Sequence, residues 1–177
     1  LTAARKKRCE FSAMIAAEMG LSDEQIEMVR TAGRLHDIGE IGIREAVLHK
    51  HGPLSEEEFD HVKTHVLIGA QNLAPLHHLR EVISSVRSHH ERHDGTGYPD
   101  GLVGEAIPIC ARILGVAEVF DALTTVRPYQ EKMSQEQAVS RMRDLVGTVI
   151  SPDVHRALAA VITRRRALVF LDESRAP

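Results

Sequence analysis

The sequence predicts an all-α domain. Apolar residues recur three and four apart through most of the chain, period-two alternation is nowhere sustained, and serine or proline start signals precede the helical runs. The 177 residues suit a single domain with its own core. Charged residues make up 27% and the hydrophobic set 43%, which fits a soluble globular class, and a net charge of −3 gives no electrostatic reason to expect duplex nucleic acid. No apolar run reaches membrane length, no signal peptide is visible, and Cys9 and Cys110 are isolated, so the expected compartment is cytoplasmic. Leu1-Thr2 running straight into helix-like sequence reads as the trimmed edge of a longer protein.

About seven helices are expected. The first spans 3–19, with Phe11, Ile15 and Met19 four apart and Gly20 closing it; its Lys6-Lys7-Arg8 run reads as a solvated face. Ser22 to Gln25 is a capping box. The helix it opens turns Ile26, Val29, Ala32 and Gly33 inward and ends at Leu35-His36-Asp37, with Gly39 as the stop. A turn-rich link with a short helical piece fills 40–53. Ser55 caps one continuous helix as far as Pro75, with an apolar stripe of Phe59, Val62, Val66, Gly69 and Leu73 flanked by His65; His61, one turn away, is a decoy candidate. Residues 79–90 form a helix whose apolar side, Val82, Ile83 and Val86, is extended by His89 and His90. Pro108 starts a helix to about Thr125 that is apolar nearly all round, which buries Glu118 and Asp121 and demands partners for them. Ser134 caps a sixth helix, and Ser151-Pro152-Asp153 opens a seventh.

Polar groups therefore face inward from four separate helices: His36-Asp37, His65, His89-His90 and Glu118. Helical bundles assemble metal centres in this way, and a nitrogen–oxygen donor set without sulfur suits Fe, Mn, Ni or Zn. An aspartate beside a histidine can bridge two ions, and such a pair activates water and neutralises a phosphodiester. Blander explanations exist for each residue alone. His65 could be a hydrogen-bonded core histidine, and Glu118 could be ion-paired with Arg112 or with a more distant arginine. Together the residues point to metal.

His36-Asp37-Ile38-Gly39 with Ile41-Gly42-Ile43, His65 with Gly69, and His89-His90-Glu91 followed by Asp94-Gly95 and Gly97-Tyr98-Pro99-Asp100-Gly101 resemble the motifs of the HD-GYP phosphodiesterases. Ala117 to Thr124, with Arg127-Pro128-Tyr129, resembles the segment that supplies the last acidic ligand and a substrate-binding arginine. The resemblance covers residues 8–160 and implies an HD-type helical bundle with a metal centre in its core. It implies two divalent transition-metal ions, one held by Asp37, His65, His89 and His90 and the other by His36, Asp37 and Glu118. Catalysis would involve His36, Asp37 and Asp121, and the substrate would be held by Gly97, Tyr98, Pro99 and Arg127. The implied reaction is hydrolysis of cyclic di-GMP to pGpG or GMP, by a single-domain output module (1–177) of a longer bacterial signalling protein. Such a module would have an upstream receiver or sensor domain and a diguanylate-cyclase-type or other signalling partner.

Four positions depart from the family pattern. Its first histidine falls on Ala4, its lysine after the HD motif is Glu40, its usual aspartate ligand is Glu118, and a basic residue three positions after Arg127 is Gln130. The second metal is therefore expected to bind more weakly, with Glu40, one turn after His36, placed to join it. The competing expectation is a degenerate module that binds cyclic di-GMP, pGpG or a partner protein without turnover. An HD nucleotidase is a weaker alternative, since those enzymes lack the GYP loop.

Overall fold

The computed structural model describes residues 3–125 and 132–173, with side chains over 8–125 and 132–165. The elements are helical: α1 (Ala3–Glu18), α2 (Asp23–Leu35), a short α3 (Glu45–Leu48), α4 (Glu56–Lys63), α5 (His65–Leu73), α6 (Arg80–Ser88), α7 (Ile109–Thr124), α8 (Gln135–Arg141) and α9 (Pro152–Glu173). Two isolated β-bridges, Asp94 to Val103 and Val146 to Ile150, are the extended pairings among the described residues. No described helix is long and apolar enough to cross a membrane.

Local chemistry starts the helices where the sequence says. Ser22, Ser55 and Ser134 each accept a hydrogen bond from the backbone N–H three residues on, and their own backbone N–H groups donate to the side-chain oxygens of Gln25, Glu58 and Gln137. Ser151 precedes Pro152, the first residue of α9.

α7 is the central post. Ile113, Leu114, Val116, Ala117 and Phe120 on it are 0–1% exposed. One apolar cluster joins it to Phe11 and Ile15 of α1, Val29 of α2, Ala138 of α8 and Val154, Leu158 and Ile162 of α9. Phe11 meets Phe120 edge-on at 4.9 Å between ring centroids. A second cluster sets Leu114 against Ala32, Leu73, Val82 and Val86, which ties α2, α5 and α6 to the other side of the post.

Two expectations need correction. The helix expected from Ser55 to Pro75 is two helices, broken at Thr64, whose hydroxyl donates to the His61 carbonyl at 2.6 Å. The break separates the apolar stripe: Val66, Gly69 and Leu73 are buried, whereas Phe59 is 46% exposed and meets the Tyr98 ring at 6.5 Å. Gly39 is more than a helix stop. It lies within a 3-10 turn over Ile38–Gly42, and a Cβ there would stand 1.9 Å from the His65 carbonyl oxygen and 2.5 Å from the Gly69 nitrogen. Only glycine allows this turn to press against the start of α5.

Candidate metal centre

Each of three histidines is aimed by its own backbone. His36 Nδ1 lies 2.9 Å from the Gly33 carbonyl, His65 Nδ1 2.7 Å from that of Val62, and His89 Nδ1 2.7 Å from that of Val86. In every case the acceptor is the carbonyl three residues earlier. Donation from Nδ1 fixes the tautomer and leaves Nε2 as the free lone pair, which is how metal-binding imidazoles are commonly oriented. α6 ends at Ser88, so His89 and His90 sit just past its C-terminus rather than on its face.

The donor atoms gather into two groups, each with its atoms within 4.8 Å of one another: His65, His89 and His90, and His36, Asp37 and Glu118. In the first, the Nε2 atoms of His65 and His89 face each other at 3.3 Å, and the His90 ring lies 4.1 Å from that of His89 and 5.1 Å from that of His65. Two imidazole lone pairs confronted at that distance call for a cation between them. Protonation is a poor substitute, because burial, followed by the His90 charge, pushes the His89 pKa well below its ordinary range. Burial also lowers His90. The residues present therefore fit a divalent ion.

The second group is already in contact with a positive side chain. Arg8 Nη1 lies 2.7 Å from Glu118 Oε1, 2.8 Å from His36 Nε2 and 3.7 Å from Asp37 Oδ2, and Arg8 Nε lies 3.7 Å from Asp121 Oδ2. This corrects the reading of Lys6-Lys7-Arg8 as a solvated run, since Arg8 is turned inward with its side chain 18% exposed. It also answers the bland alternative for Glu118, whose arginine partner is Arg8, while Arg112 pairs with Asp153 at 3.2 Å. Burial opposes charge on His36, but the Asp37 and Glu118 carboxylates outweigh it and hold the pKa up to about 9. Arg8 competes for the same carboxylates, and its Nη1, a donor 2.8 Å from Nε2, fits only the neutral imidazole, so beside Arg8 the geometry favours neutral His36 over the raised pKa. Burial favours the neutral acids, yet His36 keeps both Asp37 and Glu118 below their ordinary values, with Arg8 adding to the effect on Asp37 and His89 and His90 to that on Glu118.

Other expected site residues are placed as follows. Asp121 is buried and accepts from the Thr125 hydroxyl at 2.9 Å. Glu40 lines a cleft of about 370 Å³ with Arg8, Asp37, His65, His90 and Tyr98, but belongs to neither three-ligand group. His61 is the decoy, accepting from the Arg44 backbone N–H at 3.1 Å. Arg127 and Gln130 lie outside the described residues, as does the side chain of Ala4.

The loop after the histidines folds back on them. The Tyr98 ring stacks on His90 at 5.0 Å, and the peptide bond to Pro99 is cis. Gly97 is required by close approach, since a Cβ would stand 2.3 Å from the Arg92 nitrogen. Burial, reinforced by the Glu118 charge, raises the Tyr98 hydroxyl pKa, so it remains a donor. Glu91, to which sequence reasoning gave no role, holds the loop: its carboxylate accepts from the Asp100 N–H at 2.7 Å and the Leu102 N–H at 3.1 Å.

A bundle that turns four histidines and two carboxylates from separate elements onto one centre is an HD-type domain. The chain belongs to the HD domain family, whose model matches residues 1–154, and to its HD-GYP branch. The cyclic di-GMP phosphodiesterase response regulator RpfG of Xanthomonas campestris is 38% identical over 165 residues, covering 92% of this chain and 43% of that protein. A 3′3′-cGAMP-specific phosphodiesterase of Vibrio cholerae is 36% identical over 148 residues, covering 84% of this chain and 32% of that protein. The chain thus spans less than half the length of these relatives. In fold it is similar to an HDG"Y"P protein from Bdellovibrio bacteriovorus, with a TM-score of 0.70 at 22% identity over 90% of this chain and 51% of that one.

Proposed function

We propose that this chain is a metal-dependent phosphodiesterase domain that opens a cyclic dinucleotide, cyclic di-GMP above all, to pGpG and then GMP. The observation that carries the reading is the confrontation of the His65 and His89 Nε2 atoms beside His90, with His65, His90 and Tyr98 lining one cleft. The curated relatives are named for cyclic di-GMP or 3′3′-cGAMP, which supports the cyclic dinucleotide class.

The ring nitrogens of His65, His89 and His90 would hold a divalent Fe, Mn, Ni or Zn ion, with His36, Asp37 and Glu118 as a second, weaker site. Metal held there supplies Lewis acidity toward water and the phosphodiester. Asp37, held ionised, would accept a hydrogen bond from the attacking water and orient it. The water oxygen bonds to phosphorus as the P–O3′ bond breaks, and the departing oxygen takes up a proton. Asp121 steadies Arg8, whose guanidinium borders the cleft and offers a fixed positive charge to the phosphodiester. Tyr98 and the exposed Phe59 form an aromatic rim against which a base can lie, and Gly97 and Pro99 shape the backbone beneath it. Arg127 is assigned to the substrate phosphates by the family motif. The domain would be the output module of a longer cytoplasmic signalling protein, with an upstream receiver or sensor domain and a diguanylate-cyclase-type or similar partner.

One observation favours the second reading, a module that binds cyclic di-GMP or pGpG without turnover: Arg8 already engages the second ligand group. The test is to load the whole chain with Mn²⁺ and follow cyclic di-GMP and 3′3′-cGAMP by chromatography. Linear product that disappears in His90→Ala is the expected result. Tight nucleotide binding with no product would overturn the enzyme in favour of the module.

A further inference from the structure

The His36–Asp37–Glu118 group contains the donor atoms of a metal site, but a single nitrogen of Arg8 contacts one donor atom from each of the three residues, at 2.8, 3.7 and 2.7 Å. An ion ligated by those atoms would have to lie among them, about 2.0–2.2 Å from each. Arg8 Nη1 borders that space. A guanidinium suits such a place: it stays charged, is weakly hydrated, and carries several donors for carboxylates and a lone pair. Arg8 reaches the group from α1, one turn after Ala4. It lies three, four and seven residues before Phe11, Ser12 and Ile15, all buried, so its inward direction is set by the face of the helix. Glu118 at 2.7 Å and Asp37 at 3.7 Å supply opposite charge that offsets the burial of Nη1, while the buried Nε has no described hydrogen-bond partner and lies 3.7 Å from Asp121.

We propose that Arg8 is the resident cation of this second group. The chain then holds a single divalent ion, at His65, His89 and His90, and a second ion enters only when Arg8 is removed. Guanidinium and metal exclude each other at these ligands because two cations a few ångströms apart repel and compete for the same lone pairs. This inference rests on the metal-dependent reading above and goes further, replacing a weak second metal site by a side chain that occupies it.

The experiment compares wild type with Arg8→Gln, which keeps an N–H donor without the charge, and Arg8→Ala. Each whole chain is loaded with Mn²⁺, freed of loosely held ions, checked for folding by thermal unfolding, and measured for metal per chain and for its electron paramagnetic resonance spectrum. The expected result is about one ion per chain in wild type, with the spectrum of an isolated ion, and about two in Arg8→Gln with an exchange-coupled signal. Two coupled ions in wild type would overturn the proposal while leaving the phosphodiesterase reading intact, and this measurement does not depend on either variant folding. A folded Arg8→Gln or Arg8→Ala that stays at one ion would overturn it as well. No bound metal in any chain would remove the metal-dependent reading and this inference with it.

Discussion

At the scale of the residue, the centre depends on side chains that never touch the reacting atoms. Glu91 is the clearest case. It is 8% exposed and accepts from two loop N–H groups, so Glu91→Ala leaves both without that partner, whereas Glu91→Gln keeps one acceptor. Charge-assisted bonds of this kind are worth about 1.5–3 kcal/mol each when buried. Amide hydrogen exchange at Asp100 and Leu102 should therefore quicken strongly in Glu91→Ala and less in Glu91→Gln; equal protection in both variants would show that the loop stands without it. The four histidines and Glu118 were legible as inward groups because each falls on or beside an apolar helix face. Arg8 was not, because two lysines precede it and a basic run is normally solvated. The signal lay in its spacing to Phe11 and Ile15, which places it on the buried face of α1.

At the scale of the element, the decisive contact is the 3-10 turn over Ile38–Gly42 against α5. Gly39→Ala would drive a methyl into the His65 carbonyl, and overpacking against backbone costs about 1–3 kcal/mol or more. A lower denaturant midpoint together with weaker metal retention is expected, since His65 would be displaced along with its carbonyl. The break at Thr64 was not legible: an unbroken helix extrapolates the stripe through Phe59, and nothing in the local spacing marks the bend that separates them. The capping boxes were legible, because Ser-x-x-Gln and Ser-x-x-Glu satisfy their own backbone donors without help from tertiary structure.

The link between α7 and α9 gives a pH-dependent outcome. Burial raises the Asp153 pKa, but bonds from the Ser151 hydroxyl and the Val154 N–H, together with Arg112, bring it below the ordinary 3.8. A lowered folded value means the contribution is present above pH 3.8 and is lost as pH falls through the folded value. The side chain is 43% exposed, so screening keeps the effect below about 1 kcal/mol. Denaturant unfolding followed from about pH 5 to about pH 2 should show a smaller acid loss in Asp153→Asn than in wild type. Parallel curves would remove Asp153 from the account.

At the scale of the whole molecule, the all-α class and the gathering of ligands were legible because the period of the apolar residues settles which face of each helix is buried. The division of the ligands into two groups was legible only through the family resemblance, which shares Asp37 between them, whereas the structure sets Asp37 with His36 and Glu118 because of how α1, α5 and α7 meet there. The central claim is that His65, His89 and His90 hold a metal ion through ring nitrogen. X-ray absorption at the edge of the ion bound to the whole chain tests it most directly. The account predicts nitrogen and oxygen ligands with the multiple-scattering pattern of several imidazoles, diminished in His90→Ala. Sulfur ligation, or a shell of oxygen without imidazole, would contradict it.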